Sequence, residues 1–462
     1  MLYILLSSVL IYNEKFEFSF IIPVILAVIL FLVRSYDKIF YLVVFLTPLS
    51  VNLGYLVPQL PIEISLFTEP LLILLLFIIL INFLKYHKID LSAIKHPISL
   101  SVLFLLTWTL ISALSSTMPL VSFKFFLSKL WLIIPVFYMG LMLFKEIKKI
   151  KEFVFIHSLG VFIIVIYSTL QLVFDNVVSK NAIHFAVQPF YNDHTAYGAI
   201  LALMIPVVIG MIFIYKSANM KIMMFIISTF FILGVILSYS RASWLGLILA
   251  LAIYILIRLR IRFIYILLTS LLLFAVLFTF WFQIIDRLEK NNQDSSANLS
   301  HHITSITNIS TDASNVERLN RWQCAIEMFK EKPVFGWGPG TYQFQYAPYQ
   351  LERMRTIIST NFGEVGNAHS EYLGPLAEQG FPGPIFFVLL GVAILFSGFR
   401  IYYRAKNRDV KILALTISLG FITYFFHGLL NNFLDTDKLA VPFFGLASII
   451  MSLDLFHKKE DN

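Results

Sequence analysis

Charge is scarce in this sequence. Asp, Glu, Lys and Arg make up 13% of the 462 residues, against about 25% in soluble domains. Hydrophobic residues reach 58%, with a mean hydropathy of +0.82, and no soluble core absorbs that much apolar sequence. Cysteine is almost absent. Cys324 stands alone, so an intrachain disulfide and a cysteine-rich metal site are both excluded. No HExxH, no GxxxxGK[ST], no Cys/His ligand cluster and no paired DxD in the long polar loop occur, which disfavours metal-assisted chemistry and nucleotide hydrolysis. No cofactor is expected. The net charge of +8 does not signal nucleic acid, because the basic residues lie in short clusters between apolar runs rather than on one soluble face.

What fills the chain instead is apolar sequence, in runs of about 17–25 residues, the length a helix needs to cross about 30 Å of hydrocarbon. Such runs occur at 18–33, 39–57, 70–84, 98–114, 125–144, 153–174, 195–215, 221–239, 241–258, 263–283, 382–400, 411–430 and 438–456, with a weaker one at 2–12. They predict an all-α, polytopic membrane helix bundle of about 12–14 spans. The N-terminus has neither a basic n-region nor a small-residue cleavage site and reads as retained. Lys and Arg concentrate in every second short loop, for example Lys145 to Lys151 and Arg400 to Lys411, and the positive-inside rule assigns those loops to the cytoplasm. Parity then places the long break at 284–381 on the outer face. The chain divides into transmembrane helices at 1–283, an extracytoplasmic loop at 284–381 that carries the chemistry, and C-terminal transmembrane helices with a short tail at 382–462.

Within the loop, Asn291 to Ser314 is rich in Ser, Asn and Thr and reads as linker. Ser314-Asn315-Val316-Glu317 forms a capping box, and Leu319, Trp322, Ile326 and Phe329 recur at helical spacing until Pro333. A glycine turn, Phe335 to Gly340, follows; without a surrounding βαβ unit it is no dinucleotide fingerprint. A second short helix is expected from about Asn367 through His369 and Leu376 to Gly380. Together these predict a helical hairpin on the outer membrane surface, with both apolar stripes against the bundle.

Candidate chemistry gathers on this face. Arg241, in Ser240-Arg241-Ala242-Ser243-Trp244, lies where two apolar runs meet, and its position fits either a snorkelling interfacial arginine or a guanidinium that grips phosphate. Arg321 flanks the apolar stripe as a partner for Glu317 or for substrate. Arg318 is its rival, on a different face. His369, near the start of its expected helix, would be held neutral by the helix amides and so suit a general base, or else serve only as a cap. His194, His427 and Lys129 are further candidates for substrate binding, each also readable as a helix-end residue, and Lys124 could approach a lipid phosphate.

The stretch from Arg318 to Gly380 resembles the O-antigen ligase and O-antigen polymerase superfamily. Arg321 stands where that family has a helix arginine; Pro333-Val334-Phe335-Gly336-Trp337-Gly338 matches its Pro-x-x-Gly-x-Gly turn; Asn367-Ala368-His369 with Leu373 and Gly380 matches its histidine motif. Ser240-Arg241 looks like its upstream arginine. The resemblance implies a GT-C-like, metal-independent glycosyltransferase of the inner membrane. Its donor would be an undecaprenyl-diphosphate-linked glycan, its acceptor a glycolipid such as lipid A core or a second lipid-linked glycan, with Arg241 and Arg321 holding the diphosphate and His369 assisting the acceptor hydroxyl. A flippase or exporter is the competing class, but that class expects a midplane site in broken helices and inverted repeats, whereas the polar residues here collect at one face.

Overall fold

The computed structural model describes residues 35–56, 64–86, 91–174, 180–260, 313–352, 355 and 366–457. They form a helical bundle: α1 (Tyr36–Leu49), α2 (Thr68–Tyr86), α3 (Pro97–Leu114), α4 (Pro119–Leu143), α5 (Ile147–Phe174), α6 (His194–Ile214), α7 (Ala218–Leu237), α8 (Arg241–Arg258), α9 (Ala313–Glu331), α10 (Leu373–Gln379), α11 (Pro382–Arg404), α12 (Arg408–His427) and α13 (Asp437–Phe456). Among the described residues there is no strand beyond the isolated bridge between Asn52 and Ser65. Among the described residues nine helices, α3 to α8 and α11 to α13, are long and apolar enough to cross a membrane. Eleven of the expected spans correspond to helices; those at 2–12, 18–33 and 263–283, like the linker at 291–312, lie outside the described residues.

Sequence explains the element ends. Pro97, Pro119 and Pro382 occupy first-turn positions where no amide is missed. The Asp193 carboxylate accepts from the amides of Thr195 at 2.7 Å and Ala196 at 2.8 Å, starting α6, and Asn407 caps α12 in the same manner. Helices α6, α12 and α13 are the bundle's centre, with 83%, 72% and 83% of their apolar windows buried. Small residues let the central pair close up. A Cβ on Gly420 would strike the Leu203 carbonyl, and one on Gly210 would meet the Thr416 side chain, which is how membrane helices gain contact when lipid offers no hydrophobic drive.

The expected span at 39–57 is corrected. Helix α1 stops at Leu49, about 21 Å of rise at 1.5 Å per residue, because its end is drawn into the bundle rather than continued to the surface. Backbone that stops inside a membrane protein must find internal partners. Lys438, at the start of α13, supplies them: its Nζ donates to the carbonyls of Thr47 at 2.9 Å and Pro48 at 3.3 Å and to both oxygens of Ser50. The Ser50 hydroxyl in turn donates to Asp437 at 2.7 Å. Lys438→Met removes the ammonium that satisfies these carbonyls, and should destabilise the bundle by about 3–5 kcal/mol, the range for breaking a buried ionic cluster. Thermal unfolding in detergent reads the effect; an unchanged midpoint would show that α1 is held by other means.

Candidate active site

Helix α9 and the turn behind it form a small unit mounted on the bundle. The indole of Trp337 donates to the Met328 carbonyl at 2.9 Å, and the amides of Trp337 and Gly338 donate to Ala377 at 3.1 Å and Glu378 at 2.8 Å, tying α9 to α10. Gly336 has φ of +67°, and a Cβ there would collide with the Glu378 backbone, so glycine is required. The same turn grips the bundle. Ser112 donates to the Phe335 carbonyl at 2.7 Å, Thr117 to that of Trp337 at 2.8 Å, and Trp108 to that of Gln379 at 2.8 Å while stacking on Phe335.

The apolar stripe expected on α9 is corrected. Leu319, Trp322, Ile326 and Phe329 are only part-buried, and the enclosed face is instead Glu317, Asn320, Arg321, Cys324, Ala325 and Met328. That face packs on the stacked pair Tyr342 and Tyr346 and on Ala368 and Ala377. Glu317 belongs to this face: its carboxylate accepts from Arg321 Nε at 2.7 Å, with both side chains buried.

Arg321 is therefore held on three sides. Glu317 takes Nε, the Tyr346 ring lies 5.6 Å from the guanidinium carbon, and Tyr342 donates its hydroxyl to the Arg321 carbonyl at 2.7 Å. Its Nη1 donates to the Asn367 carbonyl at 3.2 Å and meets His369 Nε2 at 3.2 Å. A guanidinium can only donate, so Nε2 accepts and the ring proton resides on Nδ1.

His369 does not lie on a helix, which corrects the expectation for this residue. Helix α10 begins at Leu373, and His369 sits in the preceding turn with φ of +46°. A left-handed histidine is uncommon and costs about 1–3 kcal/mol unless its surroundings enforce it. Here the Asn367 side chain accepts from the His369 amide at 3.0 Å. The imidazole is neutral for a different reason from the one expected: burial, then the charges of Arg318 and Arg321, pushes it down to about 3, with Asp193 opposing. Arg318 thus acts on the same ring as Arg321 despite its different helix position.

The neighbouring helix ends add a second set of polar groups. His427, closing α12, receives the Asn431 amide on Nε2 at 3.1 Å and faces Ser243 with Nδ1 at 3.4 Å. Arg318 and Asp193 lie close enough to act electrostatically on His427 as they do on His369. Arg241 is the first residue of α8, partly buried, two positions before Ser243. Next to Asp193, His194 donates from Nδ1 to the Ser238 carbonyl at 2.8 Å. Lys129 is engaged with Asp435 at 2.7 Å and the Leu434 carbonyl at 2.9 Å. Lys124 is exposed. Among the described residues no group of three or more His, Cys, Asp or Glu is placed to hold a metal ion.

Residues 225–388 match the family model of the O-antigen ligases. Over this segment, about a third of its length, the chain is similar to the O-antigen ligase superfamily. No curated protein matches the chain. The family implies membrane-bound glycan transfer of the ligase or polymerase type. The matched segment contains Arg241, Arg318, Arg321 and His369, while Lys129, His194 and His427 reach the same end of the bundle from outside it.

One residue of this ligase-family segment escaped sequence reasoning. Glu371, two positions after His369, is buried, and one carboxylate oxygen accepts from Tyr424 at 2.6 Å and from the amides of Phe433 at 2.8 Å and Leu434 at 3.0 Å. Its own amide donates to the Gly428 carbonyl at 2.8 Å. The histidine turn is thereby riveted to the loop that follows His427. Burial and the Asp435 carboxylate raise Glu371 above the ordinary carboxylate range, with Lys129 opposing. Nothing in the sequence separates this glutamate from a solvated one, since its donors are 53 to 63 residues away. Glu371→Ala leaves three buried donors unsatisfied at about 1–3 kcal/mol each and should lower both the unfolding midpoint and transfer activity. Glu371→Gln keeps the accepting oxygen and should retain most of both. Equal losses in the two variants would contradict a role through these hydrogen bonds.

Proposed function

We propose that the chain transfers a glycan from an undecaprenyl-diphosphate-linked donor to an acceptor hydroxyl at the outer face of the cytoplasmic membrane, without a metal, and that lipid A core is the acceptor. In this reading the loop at 284–381 is the catalytic unit between the membrane segments 1–283 and 382–462. The carrying observation is the part-buried contact between Arg321 and a neutral His369, with Arg318 and the His427 end of α12 alongside.

The reaction breaks the bond between the glycan anomeric carbon and the diphosphate oxygen and forms one to the acceptor oxygen, whose proton must leave. Charge accumulates on the departing diphosphate. Preorganised cations in a water-poor site are the means to hold it, and Arg321, Arg318 and Arg241 are the guanidiniums available. In the resting site, Arg321 occupies the lone pair of His369. A phosphate oxygen competing for that N–H would free Nε2 to take the acceptor proton. The same anion would offset the two arginines and raise the histidine's proton affinity, so donor binding would both expose the base and strengthen it.

Arg321→Ala and His369→Ala are expected to abolish transfer while leaving membrane insertion intact. Arg321→Lys, which cannot keep Glu317, His369 and a phosphate together, should lose about 10²–10³ in rate, or about 2.7–4 kcal/mol. Reconstitution with a lipid-linked oligosaccharide and two acceptors, lipid A core and a second lipid-linked glycan, tests the whole reading. Product on lipid A core supports ligation, chain extension would assign a polymerase, and vectorial movement without product would remove the enzyme reading.

A further inference from the structure

We propose that the end of the bundle opposite His369 holds a second site, a slot between α11, α12 and α13 that takes the phosphodiester headgroup of an anionic phospholipid. Helix α11 has 23 residues and so runs about 34 Å at 1.5 Å per residue. Its first turn adjoins the histidine loop and its last two carry Arg400 and Arg404. There a small, partly open cavity has walls that include Ile401, Val410 and Leu453, the guanidiniums of Arg400 and Arg404 and the ring of His457.

The arginines are four residues apart and share one helix face. Arg400 is oriented by an ion pair with Asp454, which also faces His96 Nε2 at 3.0 Å. That geometry leaves Arg400 Nε buried with no hydrogen-bond partner, and His457 Nε2 is in the same state. Buried polar atoms without partners are uncommon and call for an acceptor. Among the described residues the carboxylates nearby are already engaged: Asp454 by Arg400 and His96, Asp409 by Lys151 at 3.0 Å. Lys406, Arg408 and Lys411 follow within the next turns, so the surplus charge at this end is positive. Arg404 is exposed at the mouth.

An apolar wall beneath cationic groups suits an amphiphile better than a free ion. A phosphodiester without an amine fits the charge, whereas a zwitterionic headgroup would bring an ammonium against the arginines. The site is separate from the transferase reading and stands or falls without it.

Native mass spectrometry of the purified, delipidated full chain tests it, with dioleoylphosphatidylglycerol, dioleoylphosphatidylcholine, and phosphatidylglycerol in excess inorganic phosphate. Wild type should retain the glycerol lipid about tenfold over the choline lipid, and Arg404→Glu should remove about tenfold of that preference, a change of two charges near a lipid phosphate. Arg404→Gln, a milder change at an exposed position, should give a smaller loss in the same direction. Equal retention of the two lipids, no effect of either variant, or displacement of the lipid by inorganic phosphate would each overturn the proposal.

Discussion

A guanidinium donating to a neutral imidazole is the contact on which the rest of the site depends. Two groups that could both be cations, one on α9 and one in the turn before α10, are held 3.2 Å apart, and that distance is tolerable only because His369 stays uncharged. Glu317 balances Arg321 from the other side, and the lone pair of His369 is already in use. In the proposed transfer, an anion that took the Arg321 N–H would release that lone pair to act as the base.

The remaining architecture holds this contact still. Positive-φ glycines allow the turn between α9 and α10 to press its carbonyls against Ser112, Thr117 and Trp108, so the loop is bolted to α3 rather than suspended above it. Glu371 performs the matching task at the other edge, joining the histidine turn to the segment after α12. The central helices α6 and α12 meet through glycine, and their adjacent ends bring Asp193 and His427 to the loop.

Helices and their order were legible because length and apolarity alone specify a membrane span, and polar residues at span ends are conspicuous. The motif residues Arg321, His369 and the glycine turn were equally readable. What misled was periodicity on α9, whose greasiest stripe is part-exposed while its polar stripe is enclosed. Beside a membrane, the apolar face need not be the buried one. The helix expected at Asn367 failed because Asn367 caps a turn through its own side chain before α10 begins. The early end of α1 and the role of Glu371 rest on partners hundreds or tens of residues distant, such as Lys438 for Ser50, and no local pattern records such pairings.

The account's central claim is most directly tested by the protonation of His369 itself. Solid-state nitrogen NMR of histidine-labelled protein in lipid, with His369→Gln to assign the signal by difference, reads charge and tautomer together. From about pH 5 to about pH 8 the resting ring should be neutral with its proton on Nδ1, and a polyprenyl diphosphate should shift its titration upward. A cationic ring at about pH 6 without ligand, or a proton on Nε2, would contradict the arrangement on which the site is built.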